Sequence, residues 1–245
     1  MAVTDHDTTA SVEDVRARAA AHGIDAISGI EVTAVENGRD VHVLGYFLNP
    51  ADEAFAAFLQ GQREARLTRV LAIGERLASL GMPVDLRAWI ADRGQSARSI
   101  GRPQVARAMV DRGYVADTNA AFNGWLGSDR PAFVPRSGPS PERVVEAIHR
   151  AGGLASLAHP GRTSIDARIA ALAGAGLDAI EVYHSDHDAD AVARYGAMAR
   201  DLALLMTGGS DFHGDPGHGV RPGTATLPDE EWQRLRAARH RHAVA

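Results

Sequence analysis

A chain of 245 residues with 45% hydrophobic and 23% charged side chains is long enough for one large α/β domain, or for one domain carrying an inserted lobe. Its net charge of −5 and pI near 6.1 argue against a broad basic surface for long duplex nucleic acid, and leave short phosphate-bearing ligands open, because a few arginines suffice for those. The lack of cysteine excludes a disulfide framework and thiolate metal sites, so any metal must be held by His, Asp and Glu.

In chain order, Val12 to His22 reads as a short helix, with Ser11 as N-cap, Asp14 in the first turn and Gly23 as a stop. Ala26–Val32 and Asp40–Phe47 read as strands joined through Glu36-Asn37-Gly38-Arg39, where Asn-Gly favours a tight hairpin turn. From Asp52 to Leu80 the apolar spacing is helical, through Phe55, Phe58, Leu59, Leu67, Val70, Leu71 and Leu77, and Gly81-Met82-Pro83 ends it. Shorter helical pieces follow at Val84–Arg93, Pro103–Arg112 and Asn119–Gly127. The stretch from 51 to 134 therefore reads as a helical lobe inserted between strands, with the apolar face of Asp52–Leu80 packed against the other insertion helices.

After 135–141 the alternation resumes. Helices Glu142–Arg150, Asp166–Ala175 and Asp188–Asp201 lead into strands Leu154–Ala158, Ala179–Tyr183 and Ala203–Thr207, and a last helix covers Asp229 to His240. Helix-then-strand repetition with short connections predicts parallel strands in a (β/α) barrel or open α/β sheet. No apolar stretch approaches the roughly 20 residues that span a bilayer, and no signal peptide is visible, so no membrane partner and a cytoplasmic location are expected. Every Lys/Arg position is Arg, a residue suited to bidentate phosphate binding.

Polar residues recur at the ends of the apolar runs: His6, Glu31, His42, His159, Asp211 and His213. In a set of parallel strands those ends converge on one face, where active sites are built. Imidazoles with carboxylates suit a divalent transition-metal cluster of Zn²⁺, Mn²⁺ or Fe²⁺. A carboxylate such as Glu31 can bridge two ions, and paired ions clamp the attacking and leaving oxygens of phosphoryl transfer while activating water near neutrality.

The segments that carry these residues are Thr4-Asp5-His6-Asp7-Thr8-Thr9, Gly29-Ile30-Glu31-Val32, His42-Val43-Leu44-Gly45-Tyr46, Ala158-His159-Pro160-Gly161 and Gly209-Ser210-Asp211-Phe212-His213-Gly214. In this order, and over most of the chain, they resemble the motifs of the PHP (polymerase and histidinol phosphatase) family. The similarity is closest to its small bacterial phosphoesterases with a helical insertion, a branch that includes a 3′,5′-nucleotide bisphosphate phosphatase and 5′→3′ exonucleases acting on short RNA. The resemblance implies a distorted seven-stranded (β/α) barrel, residues 1–50 and 135–245, interrupted by the insertion, and a site for two or three metal ions. Glu31 would bridge metals, Asp211 would complete the first site, His42 and His159 would hold the second, and His6 with His213 the third.

On the substrate side, Arg102 in Ile100-Gly101-Arg102-Pro103 matches a phosphate-binding arginine of that branch, and Gln104 stands where many relatives have His. Arg136 and His184 are further candidates for substrate contact. Asp211 or a histidine such as His213 is the candidate acid for the leaving oxygen. The implied function is metal-dependent hydrolysis of phosphate esters in nucleotides or short oligonucleotides. The family opens with a strand carrying His-x-His and then Ser-Asp-Gly, whereas this sequence starts at Met1-Ala2-Val3 within the next strand. By resemblance the first metal then keeps only Glu31 and Asp211 and is expected to bind weakly. That departure supports a second reading, an N-terminally truncated, catalytically impaired PHP domain acting as a nucleotide-binding or interaction module. His187 is read as exposed, and His22, His149, His218, His240 and His242 as surface or tail residues.

Overall fold

The structure, a computed structural model, describes residues 1–92, 100–163, 165–214 and 220–242. Arg93, the expected end of one helix, and His218 lie outside the described residues. The chain divides into two compact units, Met1–Ala56 with Pro139–Ala245, and Ala57–Gly138.

The first unit is a mixed α/β fold around a five-stranded sheet in the order β1-β2-β3-β4-β5. Helix α1 (Val12–Ala20) precedes a hairpin of β1 (Gly29–Glu36) and β2 (Arg39–Tyr46). Asn37 and Gly38 both take positive φ (50° and 76°), the conformation of a two-residue turn that matches strand twist. Pairing therefore runs the full length of the hairpin, from Gly29↔Tyr46 to Glu36↔Arg39. This shifts β1 by about three residues from the expected Ala26–Val32, so Glu31 sits inside its strand and not at its end. Ser11 also differs from expectation: its hydroxyl makes no cap bond but donates to Asp5 Oδ2 at 2.5 Å.

Helix α6 (Pro141–Arg150) returns the chain to β3 (Leu154–Leu157), and Ser140 caps it by accepting from the Arg143 N–H. β3 pairs antiparallel with β2, while β3, β4 (Ala179–His184) and β5 (Leu205–Gly209) are parallel. The short helix α7 (Pro160–Thr163) and α8 (Asp166–Gly174) connect β3 to β4, and α9 (Ala189–Asp201), capped by the Asp188 carboxylate, connects β4 to β5. The expectation of parallel strands from the helix-then-strand repetition thus holds for β3–β5, and the expected Asn-Gly hairpin forms between β1 and β2. Buried Ile30, Val32, Val43, Leu157 and Ile180 fill the strands.

Between Glu181 and Tyr183 β4 bulges: Glu181 faces Thr207, and Tyr183 faces the next residue, Gly208. A Cβ on Gly208 would sit 2.7 Å from Tyr183 Cβ and 2.8 Å from its carbonyl oxygen. Backbone cannot give way as a side-chain tip can, so Gly208→Ala is expected to destabilise the fold by about 1–3 kcal/mol, read as a lower midpoint in urea.

The second unit is helical. It holds most of α2 (Glu53–Ser79), with α3 (Leu86–Asp92), α4 (Arg102–Asp111) and α5 (Thr118–Ala121), the last running into a π-helical turn at Phe122–Leu126. Its core joins Val70, Ile73 and Leu77 of α2 to Leu86, Ile90, Val105, Met109 and Leu126. No helix among the described residues is long and apolar enough to cross a membrane.

Candidate metal centre

The hairpin register places Glu31 and His42 on one sheet face, because His42 lies opposite Thr33, two residues beyond Glu31. Asp5–Asp7 lies parallel alongside β1, with a bridge between His6 and Glu31. Asp7 N–H donates to the Glu31 carbonyl, Glu31 N–H to the Asp5 carbonyl, and the buried Asp7 carboxylate accepts from Thr33 N–H. The acidic residues flanking His6 therefore fix the backbone that presents it.

Three imidazoles converge on Glu31. His42 Nδ1 is 2.5 Å and His159 Nε2 3.3 Å from Oε1, and His6 Nε2 is 3.6 Å from Oε2. Burial would push the Glu31 carboxyl up, but hydrogen bonds from His159 and His42, together with nearby charge, hold it well below the usual carboxylate range. The group is anionic at neutral pH and aimed at nitrogen donors. His42 Nδ1 and His159 Nε2 are themselves only 3.2 Å apart.

His159 and Asp211 follow the parallel strands β3 and β5, and His184 closes β4, so strand direction delivers all three to one edge of the sheet. His159 carries φ 27° and Asp211 φ 52°, left-handed backbone that is unfavourable for a non-glycine residue and is tolerated where the surroundings over-determine it. Asp211 lies 3.6 Å from both His184 Nε2 and His213 Nδ1, and 3.1 Å from Arg162 Nη1. The rings of His6 and His213 are 5.8 Å apart, and those of His159 and His184 are 5.6 Å apart. The structure thus gathers His6, Glu31, His42, His159, His184, Asp211 and His213 into one cluster.

Two residues beside this cluster escaped the sequence reading. Glu181 is buried, accepts the His159 N–H at 2.8 Å, and is pushed up to about 7 by that burial. The β4 bulge explains how Glu181 and His184, an odd three residues apart, both adjoin His159. The signal available in the sequence was a lone carboxylate in the apolar run Ala179-Ile180-Glu181-Val182. The other is Arg162, on α7. His187, expected to be exposed, is half-buried: its Nδ1 meets the Val182 carbonyl, and its Nε2 accepts the Gly161 N–H.

Arg102 and Arg136 belong to the helical unit. Arg102 donates to the Leu126 carbonyl and lies 5.8 Å from the Phe122 ring centroid. The Gln104 side chain accepts the Gly101 N–H, so it caps α4. Arg136 is half-buried.

The donor set fits divalent metal. His6, Glu31 and His42 offer ligand atoms within 4.8 Å of one another, and His159 Nδ1 is buried without a hydrogen-bond partner among the described residues. No protein-family model matches the chain. The 3′,5′-nucleoside bisphosphate phosphatase of Chromobacterium violaceum is 34% identical over 229 residues, 90% of this chain and 79% of that protein. The chain belongs to the PHP-type metal-dependent phosphoesterases.

The 5′-3′ exoribonuclease of Escherichia coli is 30% identical to this phosphoesterase over 220 residues, 87% of this chain and 74% of that protein. A Bifidobacterium adolescentis structure described as a metal-dependent phosphoesterase superposes with a TM-score of 0.84 at 29% identity, covering 100% of this chain and 86% of the other. A Chromobacterium violaceum structure described as an amidohydrolase with bound sulfate gives 0.81 at 33% identity, covering 96% and 85%. The phosphoesterase is a hydrolytic enzyme.

Proposed function

We propose that the chain hydrolyses phosphate esters of nucleotides or short oligonucleotides, of the 3′,5′-bisphosphate or 5′→3′ exonucleolytic type. The observation that carries this is the convergence of His6, His42 and His159 on the buried anionic Glu31, beside Asp211 with His184 and His213. The names of relatives 30–34% identical point the same way. His6, Glu31, His42, His159, Asp211 and His213 would hold divalent ions, Mn²⁺, Zn²⁺ or Fe²⁺, in a distorted (β/α)7 barrel formed by residues 1–50 and 135–245. When bound, such ions supply Lewis acidity and a nucleophile near neutral pH.

The protein's own groups do the rest. Glu31 keeps its negative charge through neutral pH, because its carboxyl lies well below the usual range. Glu181 holds the strained His159 backbone by accepting its N–H. His184, whose side chain is fully buried, receives the Asp186 N–H on Nδ1 and holds its Nε2 3.6 Å from Asp211 Oδ2. Of the two candidate acids, His213 would give the proton to the leaving oxygen, because the Asp211 carboxyl, although burial would push it up, is held below its ordinary value by His184 and nearby positive charge. Arg102, in the helical insertion of residues 51–134, and Arg136, at the return from that insertion to the barrel, would bind phosphate.

The expected result is Mn²⁺-dependent release of inorganic phosphate from 3′,5′-nucleoside bisphosphates, or of mononucleotides from short RNA, abolished by chelation and restored by added metal. No release from either substrate class with Mn²⁺, Zn²⁺ or Fe²⁺ would sink the proposal.

A further inference from the structure

Arg162 is a charged group of the metal-centre edge to which neither the sequence motifs nor the proposed ligand set gives a task. Its backbone is pinned on all sides. Arg162 N–H donates to the His159 carbonyl, Thr163 Oγ1 to the Pro160 carbonyl, and Gly161 N–H to His187 Nε2. Gly161 has no room for a side chain, since a Cβ there would meet His187 Nε2 at 2.9 Å. His187 is tied in turn to the Val182 carbonyl of β4. The root of the arginine is therefore held against the site, while its side chain stays 54% exposed.

At the other end, Arg162 Nη1 lies 3.1 Å from Asp211 Oδ2 and 3.5 Å from Asp186 Oδ2. Oδ2 of Asp211 is also the oxygen that faces His184 Nε2 at 3.6 Å. A divalent ion ligated by Asp211 and the guanidinium would compete for the same carboxylate, and two cations sharing it would repel in a partly buried site. We propose that Arg162 is an anion subsite for substrate phosphate, held on Asp211 until a divalent ion displaces it. Displacement turns a planar, permanently charged fork towards solvent beside the metal centre, where it can take two phosphate oxygens. The inference rests on the phosphoesterase reading and deepens it, because it adds a recognition element carried by the sheet unit itself.

Among the described residues, the second group with metal-like composition, His149, Asp178 and His242, is better explained without an ion. Its two imidazoles stack at 3.6 Å and 15°, and each meets a different oxygen of the buried Asp178 carboxylate, which is thereby satisfied by protein donors.

The test uses the full chain with Arg162→Gln and Arg162→Lys. Calorimetric Mn²⁺ titration without substrate should show about 3–10-fold tighter binding for the Gln variant than for the unaltered chain, a shift set by the lost competitor. Inorganic phosphate should then bind the Mn²⁺-loaded Gln variant about tenfold more weakly, with KM raised more than kcat is lowered and partial rescue by Lys. Unchanged or weaker Mn²⁺ affinity, or unchanged phosphate affinity, in a variant with an unaltered thermal melt would overturn the inference. Hydrolysis by the unaltered chain is measured on the same preparation. Its absence counts against the proposed function, whereas an active parent with an indifferent Arg162 counts only against the subsite.

Discussion

Glu31→Gln is expected to lower Mn²⁺-dependent phosphate release by more than about 100-fold, while the chain still folds. Loss of a residue that merely orients a metal ligand commonly costs ~10–100-fold, and Glu31 is the group on which three imidazoles converge. Glutamine keeps the shape and one acceptor oxygen but removes the charge. His6, His42 and His159 would then face a neutral amide, and a divalent ion would lose its central anionic partner. Calorimetric Mn²⁺ titration alongside phosphate release checks this. A variant that binds Mn²⁺ as tightly as the parent and turns over at a similar rate would remove Glu31 from the metal site. Glu31→Asp, which retains charge but shortens the reach, should fall between the two.

The second large effect concerns stability and lies at the other end of β4. Asp178, just before the strand, is 2% exposed and receives His149 Nε2 at 2.8 Å, His242 Nε2 at 2.9 Å, Arg241 at 3.3 Å and the Ala155 N–H at 2.9 Å. These contacts correct the expectation that His149 and His242 are plain surface or tail residues: both end on one buried carboxylate. Asp178→Ala strands the donors around it and is expected to cost about 3 kcal/mol, the scale of breaking a buried ion pair from one side. Burial pushes the Asp178 carboxyl up, but His149, the Ala155 N–H and His242 pull it below the ordinary value. A carboxyl depressed in the folded state contributes stability that is present above its unfolded pKa of ~3.9 and lost as pH falls through the folded value. The gap between the unaltered chain and Asp178→Ala should thus be flat from about pH 5 upward and narrow below about pH 4. Urea unfolding at neutral pH and near pH 3 measures both limbs, and equal midpoints at neutral pH would contradict the assignment.

Much of this protein was legible from local pattern. The 3.6-residue spacing of Phe55, Leu59, Val70 and Leu77 marks α2, which forms at Glu53–Ser79 with those four side chains buried. Asn37-Gly38 marks a hairpin turn because both positions need positive φ, and both have it. The polar residues standing after or within apolar runs marked His6, Glu31, His42, His159, Asp211 and His213, and the fold brings them together. Local signals failed where a residue's meaning lies in a partner far along the chain. His149 and His242 look like ordinary polar residues until Asp178, 29 and 64 positions away, joins them. Glu181 lies in a strand whose bulge is invisible in the sequence, and that bulge sets it beside His159.

The sequence by itself determined the elements, the hairpin turn and the chemistry available, because propensity, period and turn geometry act between near neighbours. Only the tertiary structure decided that β2 pairs antiparallel with β3, that Glu31 is the carboxylate three imidazoles share, and that Asp178 anchors the C-terminal segment. Each of these depends on strand register and on which donors meet a carboxylate once water is removed. Burial raises the stakes of every such pairing, and no run of adjacent residues encodes it.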